Sequence, residues 1–390
     1  MFDTLQTFDT TWMFGGFLFV AGLCIGSFLN VCIYRLPAGL SLVRPGSHCT
    51  SCQTPIAWYD NIPVASYLIL RGRCRKCGAS FSARYMAVEL ATGLLWFGCW
   101  LAYFKLGWRL GADHLGVYLV HMTLVSALLV SAVIDYERKE IYTSVTNLAL
   151  AVGVAGSVLW LEVQKIGAYD GLLPDFGTGW NRLDAAVLSL VGAAVGAGLI
   201  NLSRTLGTMV FRREAMGIGD VYLMAAIGAV LGWEAAVLVF LIAPFLGLPY
   251  GIGQLIWSKP VPAEAKPGGA EASAPPLKVN YGSLLATVVG FALMLASAAA
   301  ARPAWNTNAR VLLLAGLLAM GSSFLFIWRE EREMLSEPQE PTPAPETASS
   351  HEVPYGPFLG LAACAVMVLQ DRLVEWFRPG LQEMVRSLLG

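Results

Sequence analysis

The chain has 390 residues, 56% of them hydrophobic and only 14% charged, with a mean hydropathy of +0.59. That is more apolar surface than one soluble core buries, so the expected class is an all-α membrane protein, a polytopic bundle of about 8–10 transmembrane helices. A membrane β-barrel is excluded, because the apolar runs are continuous and not alternating, and the formal net charge of −1 says nothing about partners.

The first apolar run is Trp12 to Ile33, within a first membrane segment of residues 1–34. No Lys or Arg precedes it, only Asp3 and Asp9, which is not the basic start of a signal peptide. The segment 35–85 carries Arg35, Arg44, Arg71, Arg73, Arg75, Lys76 and Arg84 against the single acid Asp60. By the positive-inside rule the N-terminus lies outside and this segment is cytoplasmic. It holds Cys49-x-x-Cys52 and, further on, Cys74-x-x-Cys77, whereas Cys24, Cys32, Cys99 and Cys364 fall in apolar runs. In a reducing compartment the four are not a disulfide framework. Two such turns each present two sulfurs to one point, which closes a tetrahedral structural Zn²⁺ site, and the glycine after Cys77 permits a tight turn. With four sulfurs available no position stays open for catalysis, and His48 reads as a loop histidine. His114, His121 and His351 are scattered and suggest no shared site.

Apolar runs follow near Ala87–Phe104 and Leu115–Ile134, the latter ending at Asp135 on the cytoplasmic side. Tyr136–Thr143 is read as a cytoplasmic loop in which Glu137 and Glu140 are solvated, and Ser144–Leu161 returns outward to a Gly, Asp and Pro-containing external loop, Gly167–Trp180. Leu183–Leu202 comes back in; its small residues, VGAAVGAG, permit close helix packing or are lipid-compatible filler. The loop after it, with Arg204, Arg212 and Arg213, ends at Gly219, so Asp220 opens the next run on the same face as Asp135. That run, Val221–Trp233, is short for a span; Ala235–Trp257 follows. A flexible Pro, Ala and Gly-rich linker then precedes runs at Leu284–Ala300 and Val311–Trp328. After an acidic, proline-rich stretch the last run is Phe358–Leu369, with an amphipathic tail.

The two acids are the constellation of interest, since carboxylates bordering hydrocarbon are costly. Brought together they share a proton and divide the work of base and acid: one takes a proton from water and the other hydrogen-bonds a peptide carbonyl. Left apart they are two solvated helix-end acids, or in the case of Asp220 a helix N-cap. The residues alone leave both readings open.

The stretches GLCIGSFLNVCIYRLPAG, SLVRPGSHCTSCQTPIAWYDNIPVASYLILRGRCRKCGASFSARY and VELATGLL, then GIGDVYLMAAIGAVLGW and VPYGPFLGLAA, resemble the bacterial type IV prepilin peptidases in content and order. The GxGD element marks aspartic peptidases that work within membranes. The resemblance implies that Asp135 and Asp220 are the catalytic pair. It implies cleavage of prepilin or pseudopilin leaders after a glycine on the cytoplasmic side of the inner membrane, then N-methylation of the new terminus with S-adenosylmethionine. Its partners would be those substrates and membrane lipid, with no nucleic acid. The implied division is a cytoplasmic zinc domain at 35–85 associated with methyl transfer, a peptidase core at 86–257, an inserted linker and two-helix hairpin at 258–352, and a final helix and tail at 353–390. Two apolar runs return the insert to its starting side, so PYGPFLG stays at the mouth that holds the acids. Three features depart from the family pattern: Ile141-Tyr142-Thr143 after the first acid, Tyr222 after the second, and the insert. A peptidase without methylation and a non-catalytic zinc module for pilus or secretion assembly are the rivals.

Overall fold

A computed structural model describes residues 10–107, 115–163, 181–212, 216–257 and 354–369, with isolated positions between 286 and 329 and at 373. The helices are α1 (Thr10–Arg35), α2 (Ala65–Leu70), α3 (Arg84–Trp100), α4 (Leu115–Arg138), α5 (Thr143–Leu159), α6 (Asn181–Phe211), α7 (Ile218–Leu231) and α8 (Trp233–Trp257), followed by α9 (Gly356–Leu369). Among the described residues there is no strand, only two isolated bridges in the segment between α1 and α3. Among the described residues five helices are long and apolar enough to cross a membrane: α1, α3 with its continuation to Lys105, α4, α6 and α8; α5, α7 and α9 are shorter apolar helices. Eight of the expected runs are thus helices. The runs at Leu284–Ala300 and Val311–Trp328 fall almost wholly outside the described residues, as do the loop Gly167–Trp180 and the C-terminal tail.

Glycines set the closest approaches. A Cβ on Gly26 of α1 would lie 2.7 Å from Glu89 Cα of α3, and one on Gly22 would lie 2.9 Å from Gly93 Cα. In α6, Cβ atoms on Gly192 and Gly196 would fall 2.1 Å from Gly228 O and 2.3 Å from Met224 O of α7. The VGAAVGAG stretch is therefore a packing seam and not filler.

α7 is the central helix. Every residue from Asp220 to Leu231 is buried, as expected of a helix that is apolar all round, with α4, α5, α6 and α8 against it. Its 14 residues rise about 21 Å, short of the roughly 30 Å hydrocarbon layer. Protein, not lipid, encloses it, so the mismatch costs little. Gly232, at φ 88°, stops it, and α8 begins one residue later.

Two expectations around α4 need correction. The helix runs through Asp135 to Arg138, so Tyr136–Thr143 is not all loop; only Lys139–Tyr142 lies between α4 and α5, turned by Lys139 at φ 60°. Glu137 is not simply solvated, since Arg84 Nη1 donates to both its carboxylate oxygens at 2.6 Å. That pair ties the start of α3 to the end of α4.

Candidate active site and metal centre

The first turn of α7 follows an extended Gly217, which makes Asp220 the third helical residue. Asp135 lies in the last turns of α4, and each acid is only 7% exposed. The two carboxylates lie within electrostatic range of each other. From the far end of the sequence α9 closes on them: the Gly356 amide donates to Asp135 Oδ2 at 2.8 Å, and Asp220 acts electrostatically on Tyr355. A Cβ on Gly356 would sit 2.9 Å from Asp135 Oδ2, so the backbone approaches as only glycine allows. α4, α7 and α9 thus meet at one end of the bundle, with the two acids on the same side of it. Asp220 does interact with the Gly217 backbone, in the manner of a capping-box acid. Its Oδ1, however, is buried without a hydrogen-bond partner. A buried acceptor left open in this way is where a water or substrate group can bind.

Of the departures, Ile141 packs directly on the GxGD element, because a Cβ on Gly219 would fall 2.5 Å from Ile141 Cβ. The Tyr142 hydroxyl donates to Glu140 Oε2 at 3.0 Å, and Tyr222 is buried in the core. The Gly356 amide, Tyr355 and Ile141 went unassigned in sequence reading. The signal present was the VPYGPFLG motif together with the parity argument that placed it at this mouth.

The segment between α1 and α3 brings Cys49, Cys52, Cys74 and Cys77 together, with all four Sγ atoms within 4.8 Å of one another. Cys49 Sγ and Cys77 Sγ are 3.8 Å apart; a tetrahedron with Zn–S of about 2.3 Å has edges of about 3.8 Å. The two turns are built alike. Cys49 N donates to Thr54 O (2.9 Å) and Gln53 N to Cys49 O (2.8 Å); Cys74 N donates to Ala79 O (2.8 Å) and Gly78 N to Cys74 O (2.9 Å). The residue after each pair is left-handed, Gly78 at φ 72° as expected and Gln53 at φ 58° where no glycine marks it. Thr54, by its hydroxyl and then its backbone, pulls the Cys52 thiol down to about 6, and backbone amides of Cys77 and Lys76 lower Cys74. Cys77 goes the other way, to about 11: the Ala79 amide lowers it, but burial and the neighbouring sulfurs outweigh that. Such crowding of sulfurs is what a bound cation relieves. Between Leu36 and Ala83 only Ser66 and Gly72 are buried, so this segment lacks an apolar core and fits a metal-organised fold. His48 stays outside the cluster, its Nδ1 2.9 Å from Gly46 O. His121 is buried beside the Tyr103 hydroxyl at 3.1 Å, while His114 and His351 are outside the described residues.

Residues 20–103 match the family model "Bacterial Peptidase A24 N-terminal domain", and residues 122–252 match "Type IV leader peptidase family". A prepilin leader peptidase/N-methyltransferase of Myxococcus xanthus is 34% identical over 97% of this chain and 96% of its own length. Proteins with the same description from Klebsiella pneumoniae and Neisseria gonorrhoeae are 38% and 31% identical; each match covers 59% of this chain, and 91% and 78% of the relative. The extra length is therefore shared with the Myxococcus protein and is not peculiar to this chain. No solved structure matches.

Proposed function

The chain belongs to the Type IV leader peptidase family, and from that membership we propose that it is a membrane aspartic endopeptidase. Its substrates are type IV prepilins and pseudopilins, whose leaders it removes after a glycine at the cytoplasmic face of the inner membrane. It then methylates the new N-terminus. The observation that carries the peptidase reading is the convergence of buried Asp135 and Asp220 at one end of the bundle.

Two carboxylates in a low-dielectric site hold one proton between them. The ionised member takes a proton from water, whose oxygen attacks the scissile carbonyl carbon, while the protonated member hydrogen-bonds the carbonyl oxygen. Collapse of the tetrahedral species breaks the C–N bond, and the leaving amine receives a proton from the pair. The Gly356 amide on Asp135 Oδ2 fixes the rotation of one carboxylate, and the open Oδ1 of Asp220 is available to the other partner in the exchange.

Cys49, Cys52, Cys74 and Cys77 would hold a structural Zn²⁺, since four sulfurs leave it no open position. S-adenosylmethionine would supply an electrophilic methyl group. Asp135→Asn and Asp220→Asn should each leave prepilin uncleaved in membranes; normal processing by either variant would overturn the assignment of the pair. Mass spectrometry of the mature N-terminus separates a methylating enzyme from a peptidase alone. A non-catalytic zinc module predicts normal processing in both variants.

A further inference from the structure

A cavity of about 930 Å³ lies between the last turns of α1, the start of α3 and the segment that joins them, with Cys49 and Cys74 in its wall. It is separate from the aspartate pair, none of whose residues line it, and its size is that of a small-molecule site. Two buried polar side chains line it. Asn30, 4% exposed, donates through Nδ2 to Tyr85 O at 2.9 Å, which fixes the amide and leaves Oδ1 buried and unpartnered. Glu89, 9% exposed, accepts from Val64 N at 2.8 Å and makes no ion pair among the described residues. A buried carboxylate without a cation and a buried amide oxygen without a donor are costly unless a ligand meets them. By contrast Asp60, also in the wall, is already held by Arg75 through Nε and Nη2 at 2.6 to 3.1 Å. The remaining character of the cavity is aromatic, as at Tyr59, and basic at the exposed Arg44 and Lys76.

We propose that this cavity binds the methyl donor, with the adenosyl and sulfonium-bearing amino-acid parts of S-adenosylmethionine meeting Asn30 Oδ1 and Glu89, and its carboxylate meeting Arg44 or Lys76. The inference rests on the methyl-transfer part of the proposed function. A donor group of the ligand satisfies Asn30 Oδ1, and its positive charge offsets Glu89. The space also accommodates the amine to be methylated. Its nitrogen lone pair forms the N–C bond as the S–CH₃ bond breaks, the electron pair stays on sulfur as a neutral thioether, and the extra proton on nitrogen leaves to solvent.

The test uses the zinc-loaded full chain in detergent and binding of S-adenosylmethionine by calorimetry. Glu89→Gln keeps the acceptor for Val64 N and removes only the charge; Ser27→Trp fills the cavity from α1 and leaves the Asn30 bonds alone. Both should weaken binding by about tenfold or more, the size expected for losing a hydrogen bond to a charged group, with zinc content unchanged. Affinity as in the unaltered chain for both variants overturns the site while leaving methyl transfer standing. No binding by the unaltered chain removes the methyl-transfer reading and this inference together. Ultraviolet cross-linking of tritiated S-adenosylmethionine to the unaltered chain needs no variant: label in peptides containing Asn30, Tyr59 or Glu89 supports the site, and label confined to other peptides overturns it.

Discussion

Under the proposed mechanism a carboxylate that activates water beside a second carboxylate needs its rotation fixed, and at Asp135 a backbone amide holds one oxygen. Gly356 N–H reaches Oδ2 at 2.8 Å because nothing projects from its Cα; an added methyl carbon would lie 2.9 Å from the same oxygen and 3.3 Å from Asp135 Cβ. Asp135 is a short side chain on a packed helix, so it has little room to yield. Gly356→Ala should therefore reduce leader cleavage by at least about tenfold, or about 1.4 kcal/mol of barrier, while folded yield and zinc content stay near those of the unaltered protein. Cleavage kinetics on purified prepilin measure it; an unchanged rate would show that the contact is incidental. The two acids were legible in sequence because a charge at the edge of an apolar run is conspicuous. The amide that orients one of them was not, since a backbone N–H has no residue signature. Gln53 was missed for a related reason: its left-handed backbone is set by the cysteine turn, not by the identity of the residue.

Runs of apolar residues located eight helices, yet their ends and their packing partners were less legible. α4 continues past Asp135 because Arg84 and the Glu137 carboxylate hold its final turn in place, a contact across 53 residues that no local pattern announces. The α6 and α7 seam was readable as a possibility from its small residues, and the structure decides it. Gly192→Ala would push a methyl group to 2.1 Å from Gly228 O, so the helices must separate, at about 1–3 kcal/mol. Gly98→Ala on α3 meets nothing within 4 Å and should gain up to about 1 kcal/mol from helix propensity. Thermal unfolding in detergent should move the midpoint down for the first and leave or raise it for the second. The cysteine-bearing segment between α1 and α3 behaves differently from the helices because burial contributes so little to it. Cys49→Ser with Cys74→Ser should abolish bound zinc by elemental analysis and open residues 36–83 to limited proteolysis; retained metal with intact protection would defeat the four-cysteine site.

For the whole molecule, the decisive constraint is that three stretches far apart in sequence must reach one end of the bundle. Counting crossings from a first helix with its basic flank inside puts the end of α4, the start of α7 and the start of α9 on a single face, even across the apolar runs between α8 and α9. The contact between Gly356 and Asp135, 221 residues apart, satisfies that count internally but does not by itself say which side of the membrane the face occupies. The proposed direction comes from charge by the positive-inside rule, since Arg35 ends α1, Arg84 opens α3 and Arg212 follows α6. The orientation predicts opposite labelling of two exposed positions at the ends of successive helices, Leu159 on α5 and Val210 on α6, which are 62% and 73% exposed. In spheroplasts, a membrane-impermeant maleimide should modify Leu159→Cys without permeabilisation and Val210→Cys only after it. The reverse pattern would place the aspartate pair outside, away from the reducing compartment that keeps four cysteines available for a metal, and the cytoplasmic cleavage argued for this chain would fall with it.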